Sequence, residues 1–107
     1  MENGAYLMRV TYDTDTATVE LEMTPNARGY KWNKANTYAV AYDPIRDRVA
    51  GLMLRHEAGR GVYLTQKERT VEISVRRVPF YESLFLDRYV SLDLGEDDVI
   101  RGVTVME

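Results

Sequence analysis

Apolar and polar residues alternate with a period of two along most of this chain, and only a β-strand buries one face of such a pattern. In residues 17–24, Ala17, Val19, Leu21 and Met23 fall on one side and Thr18, Glu20, Glu22 and Thr24 on the other. Just before them Tyr6, Met8, Val10 and Tyr12 alternate with Leu7, Arg9 and Thr11. The link Asp13-Thr14-Asp15-Thr16 consists of residues whose side chains bond nearby backbone, so the two runs read as a hairpin.

A second hairpin joins residues 38–42 to 48–56 through Asp43-Pro44-Ile45-Arg46-Asp47, where Pro44 ends the first strand. The run Val49-Ala50-Gly51-Leu52-Met53-Leu54 is apolar on both faces. It reads as a strand that is either central in its sheet or at an interface. Ala58-Gly59-Arg60-Gly61 is a linker, after which the pattern restarts. Residues 62–65 and 71–78 flank the polar turn Gln66-Lys67-Glu68-Arg69; residues 90–94 and 99–106 flank Gly95-Glu96-Asp97-Asp98. No helical period is sustained, and residues 81–87 allow one helical turn at most.

The two halves resemble each other. Val19-Glu20-Leu21 has a counterpart in Val71-Glu72-Ile73, Tyr38 in Tyr89, Asp43 in Asp93 and Gly51 in Gly102, all at nearly the same offset. The expected fold is therefore all-β: about eight antiparallel strands in two successive four-stranded units, forming a sandwich or a partly closed barrel. The chain is a single internally duplicated domain, with repeat 1 at about 6–57 and repeat 2 at about 62–107. Each half is close to the smallest size that supports a core, so each needs the other.

Tyr12-Asp13, then Asp15-Thr16-Ala17-Thr18-Val19-Glu20-Leu21, then Tyr42-Asp43 leading to Val49-Ala50-Gly51-Leu52-Met53-Leu54, resembles the short bacterial proteins of domain-of-unknown-function family 2283. The match covers chiefly residues 6–57, with Asp93 and Gly102 as its best echoes in the second half. The first turn is shorter than the family pattern, Asp47 replaces a turn glycine, and Met53 stands where the family has Glu. The resemblance implies only a fold and no established activity.

Composition limits the chemistry. The chain has no cysteine and one histidine, which excludes disulfides, thiolate nucleophiles and any site needing two histidines from one chain. A net charge of -3 gives no bulk attraction to nucleic acid or anionic lipid. No stretch approaches the ~20 apolar residues of a membrane span. Met1-Glu2-Asn3-Gly4 lacks a basic-then-apolar leader pattern, so a cytoplasmic chain without membrane contact is expected.

Catalytic candidates are weak. His56 reads as a solvent-exposed residue at a strand end, with Glu57 on the opposite face. Asp93, Glu96, Asp97 and Asp98 lack the spacing of a calcium loop, and Asp13-Thr14-Asp15 only begins like one. Glu20 and Glu72 read as equivalent outward, solvated positions. No phosphate loop, dinucleotide fingerprint or nucleophile elbow occurs, and no enzyme activity, metal or cofactor is expected. The pair Arg76-Arg77 lies in an expected strand, which would point the two arginines to opposite faces.

One segment stands apart. Between Glu22 and Asp43 there is no acidic residue, while Arg28, Lys31 and Lys34 alternate with Tyr30 and Trp32, the single tryptophan. Such a loop suits partner binding through Arg28, Tyr30, Lys31, Trp32 and Lys34. The competing reading folds Trp32 back to plug one end of a barrel. The leading functional expectation is a non-catalytic protein-interaction or regulatory module of bacterial or phage origin, inhibitor-like or antitoxin-like, with an unidentified protein partner. Alternatives are a β-barrel whose eight tyrosines line a small-ligand cavity, and a nucleic-acid-binding domain using the basic-aromatic loop. A homodimer is compatible with the two-sided apolar strand.

Overall fold

The structure, a computed structural model, describes residues 7, 9–35, 37–56 and 62–106. The linker 58–61, Tyr6, Met8 and Glu57 lie outside them. The chain is all-β, with ten strands in two five-stranded antiparallel sheets. The first holds β1 (Arg9–Asp13), β2 (Thr18–Glu22), β3 (Trp32–Lys34), β4 (Tyr38–Asp43) and β5 (Arg48–Arg55). The second holds β6 (Tyr63–Lys67), β7 (Thr70–Ser74), β8 (Glu82–Phe85), β9 (Val90–Leu94) and β10 (Ile100–Met106). Their orders are β1-β2-β5-β4-β3 and β6-β7-β10-β9-β8, so the two units share one topology. The expected strands are all present apart from their ends. β3 and β8 are the additions, each an edge strand with one ladder partner. β8 replaces the helical turn allowed at 81–87.

Asparates start the turns. The Asp13 carboxylate accepts the backbone N–H of Asp15 at 2.9 Å, and Asp43 accepts that of Ile45 at 3.0 Å. Both turns end on a left-handed residue, Ala17 at φ 53° and Asp47 at φ 58°.

The likeness of the units extends to their irregularities. In β5, Ala41 pairs with Gly51 but Tyr42 with Val49, which leaves Ala50 as the extra residue of a bulge. In β10, Asp93 pairs with Gly102 but Leu94 with Ile100, which leaves Arg101 extra. Each bulge carbonyl is used in the same way. Ala50 O accepts from Met23 N–H, and Arg101 O from Val75 N–H, both at 2.9 Å. Gly51 and Gly102 are therefore true counterparts. The register corrects two other equivalences: Asp93 corresponds to Ala41 rather than Asp43, and Tyr38 to Val90 rather than Tyr89.

Both sheets turn their alternate side chains into one core. Val19 and Leu21 of β2, Leu52 and Leu54 of β5, Ile73 of β7, Val90 and Leu92 of β9, and Val103 and Val105 of β10 all belong to it. Each such side chain contributes roughly 1.5–3 kcal/mol on burial. With that layer filled and both sheets open at their edges, the arrangement is a sandwich and no barrel closes among the described residues. β5 is the central strand of its sheet, which accounts for its two apolar faces.

The sheets are also tied by polar contacts. Asp87, in the β8–β9 turn, accepts the backbone N–H groups of Tyr89 and Val90, each at 2.7 Å, with one oxygen. With the other it accepts Val49 N–H of β5, also at 2.7 Å. Beside it the Arg48 guanidinium lies 4.5 Å from the Tyr89 ring centroid. Among the described residues, no helix is long and apolar enough to cross a membrane.

Candidate functional site

The segment between β2 and β3 folds over the outer face of the first sheet. After Met23 bonds the bulge carbonyl of Ala50, the chain reverses at Asn26, whose φ is 59°. It then makes a 3-10 turn, Ala27–Gly29, that buries Ala27. Arg28 reaches back to Glu20, with Nη2 3.1 Å from Oε1 and Nε 3.4 Å from Oε2. Glu20 is buried although it points away from the core, so it is not the solvated carboxylate its position suggested. Its counterpart Glu72 stays partly exposed and pairs with Lys67 at 3.5 Å. The hydrogen bond from Arg28 to Glu20, reinforced by the carboxylate charge, raises the guanidinium above its ordinary pKa.

Tyr30 fastens the next part of the loop by donating its hydroxyl to Asp43 Oδ2 at 3.3 Å. Trp32 opens β3 on the same outer face and lays its ring across Gly51, beside Ala27. It covers a sheet face and not the end of a barrel. Of the five candidate loop residues, Arg28 and Tyr30 are thus engaged with acids of their own sheet and Trp32 is half-buried. Lys31 and Lys34 are exposed, as is Asn33 between them.

The other candidates disperse. His56 is buried at 5% exposure, not solvated, because the Tyr12 ring packs edge-on against it at 4.4 Å. Asp93 is buried on β9 and accepts the Thr104 hydroxyl at 2.8 Å, whereas Glu96, Asp97 and Asp98 are exposed in a separate 3-10 turn. Burial pushes the Asp93 carboxyl above its ordinary pKa, against the opposing effects of the Thr104 hydrogen bond and of Arg101. Among the described residues, no three or more His, Cys, Asp or Glu side chains are placed to hold a metal ion.

A different surface emerges at the second sheet's edge. Phe80 (54% exposed), Tyr81 (69%), Leu84 (44%) and Phe85 (58%) lie on β8 or directly before it. Leu84 pairs with Leu92 of the core and Phe85 with Ser91, so they face opposite sides of the sheet and the apolar strip wraps its rim. Period-two reasoning passed over it because these side chains are apolar without alternating. The cue was the density of Phe80-Tyr81 and Leu84-Phe85 directly after Pro79.

Comparison with family models, curated proteins and solved structures gives no match.

Proposed function

We propose that the protein is a non-catalytic interaction module that binds a partner polypeptide by adding one of its strands to the free edge of β8. The carrying observation is the exposed strip Phe80, Tyr81, Leu84 and Phe85 on a strand that has, among the described residues, a neighbour on one side only. An unpaired, apolar edge is an aggregation hazard that natural sheets blunt with charges, prolines or cover. β8 carries a single charge, Glu82. Main-chain hydrogen bonds would supply affinity, and the aromatic side chains selectivity. A regulatory role of the inhibitor or antitoxin kind fits such a module.

Ladder alternation identifies the groups that face the edge. Leu86 N–H bonds Val90 O, so at two-residue steps Leu84 and Glu82 bond toward β9, and Ser83 and Phe85 point their N–H groups outward. Ser83→Pro removes one outward donor and leaves the β9 ladder intact. Tagged full-length protein carrying Ser83→Pro, or Leu84→Glu with Phe85→Lys, should lose the partner that wild type captures from its host, while melting stays cooperative. Undiminished capture by both variants would end this reading.

A second contact is favoured by the ties at Glu20–Arg28 and Tyr30–Asp43, which hold the 28–34 loop in place and leave Lys31 and Lys34 presented beside Trp32. Such a preorganised basic surface suits an acidic partner. Lys31→Ala with Lys34→Ala would remove that partner and spare one bound at β8.

A further inference from the structure

The outer face of the second sheet carries a groove of about 380 Å³. It is lined by Tyr63 of β6, Ser74 of β7, Arg101 of the β10 bulge, and Arg76, Arg77 and Pro79 of the β7–β8 connection. Both arginines of the Arg76-Arg77 pair reach it because β7 ends at Ser74, earlier than the alternation suggested, so they no longer obey strand geometry.

We infer that this groove binds a phosphate monoester. Three guanidinium groups line it and, among the described residues, no carboxylate does, on a chain whose net charge is -3. Asp93, whose charge Arg101 feels, already accepts the Thr104 hydroxyl. Arg76 keeps its Nε–H out of water with no acceptor among the described residues, an arrangement that an incoming oxyanion would relieve. Among the described residues Arg101 spends only its Nε, donated to Val78 O at 2.8 Å, which holds the side chain in place and leaves its terminal nitrogens for a ligand. Arg77 lies 6.0 Å from the Tyr63 ring centroid.

The fold does not require this cluster. By register, the positions matching Tyr63, Ser74 and Arg101 in the first unit are Arg9, Glu22 and Ala50. Two and three residues beyond Glu22 stand Thr24 and Pro25, where the second unit has Arg76 and Arg77. The bulge therefore forms with an alanine as well as with an arginine. A carboxylate satisfies one arginine fork. A phosphate monoester, with a charge of about −1.5 to −2 and three acceptor oxygens, matches three.

The test is titration of ¹⁵N-labelled full-length protein with inorganic phosphate, a phosphoserine peptide and malonate, at constant ionic strength. Saturable amide shifts at Ser74, Arg76 and Arg101 are expected with both phosphates. Binding should weaken about tenfold in Arg77→Ala and in Arg76→Gln, while Arg9→Ala, at the first-sheet position that matches Tyr63, leaves it unchanged. Tighter binding of the peptide than of phosphate would identify a phosphorylated polypeptide as the source; equal binding would identify a free anion. Malonate binding as tightly as phosphate overturns the inference, as do shifts spread without saturation or an equal loss in Arg9→Ala. Arg77 is exposed and makes no hydrogen bond among the described residues, so its variant reads binding even if Arg76→Gln disturbs folding.

Discussion

Trp32 occupies the place a side chain on Gly51 would take: a Cβ there would lie 2.9 Å from Cη2 of the indole and 3.2 Å from the Ala27 Cβ. The glycine at the bulge and the lone tryptophan of the loop are thus one packing unit. Gly51→Ala should lower the melting temperature by pushing the indole outward, with a red shift in tryptophan emission. Trp32→Ala should cost about 2–4 kcal/mol, toward the lower end because the ring is half-buried. In the Trp32→Ala background, Gly51→Ala should lose most of its effect, and a double-mutant cycle in thermal unfolding measures that coupling. Additive effects would show that the two do not share their packing.

Asp87 links the units. Its carboxylate accepts three backbone N–H groups, one of them Val49 from the other sheet. Asp87→Ala leaves those donors unmatched and should destabilise by about 2–4 kcal/mol, on the scale of hydrogen bonds to a charged acceptor. Asp87→Asn, which keeps one acceptor oxygen, should fall between. Hydrogen exchange at the Val49 amide should accelerate in Asp87→Ala well before global unfolding does.

Since the core side chains of β2 and β5 lie against those of β7, β9 and β10, neither sheet should be stable without the other. Residues 1–58 expressed alone should be unfolded or should self-associate. A cooperatively melting monomer of that fragment, seen by circular dichroism and sedimentation, would contradict the shared core.

Strands that bury one face announced themselves through alternation, as at Val19, Leu21 and Ile73, Val75. The edge strands did not. Trp32-Asn33-Lys34 and Glu82-Ser83-Leu84-Phe85 each meet one neighbour, and side chains at a rim are not sorted into wet and dry faces. The repeat was legible at Gly51 and Gly102 because a bulge constrains the residue type. It misled at Tyr89 and Asp93, since the turn between β4 and β5 is one residue longer than that between β9 and β10, so the offset that matches Gly51 to Gly102 does not carry over to β4 and β9. The basic-aromatic loop was legible as an anomaly, but its buried counter-charge, Glu20, was not. Alternation assigned that glutamate to solvent, and only the fold-back of the loop buries it. Likewise, Arg76 and Arg77 could be joined on one groove only once β7 was known to end at Ser74.

Ala17 holds φ at 53°, a region that costs a residue with a Cβ roughly 1–2 kcal/mol. Asp47 takes the same place in the β4–β5 turn at φ 58°, where a short polar side chain tolerates it better. Ala17→Gly should therefore stabilise by about 0.5–1 kcal/mol after the added freedom of the unfolded chain is deducted, and Asp47→Gly by less. Urea unfolding with unchanged m-values checks both.

Asp93 supplies the clearest pH dependence. Burial raises its carboxyl above the ordinary 3.8, so between that value and the folded one the native state holds a proton that the unfolded state has released. Unfolding then releases protons, and stability falls as pH rises through that window. Asp93's ionisation therefore subtracts from stability at neutral pH and not below about 3.8. Asp93→Asn keeps an oxygen to accept the Thr104 hydroxyl and never ionises. It should raise the melting temperature at pH 7, and its advantage over wild type should shrink steadily toward pH 3.5. Melts of the two proteins at matched ionic strength give the comparison directly. An advantage independent of pH would mean that packing, not the buried charge, separates them; a loss at pH 7 would mean that the attraction between Asp93 and Arg101 outweighs the cost of burial.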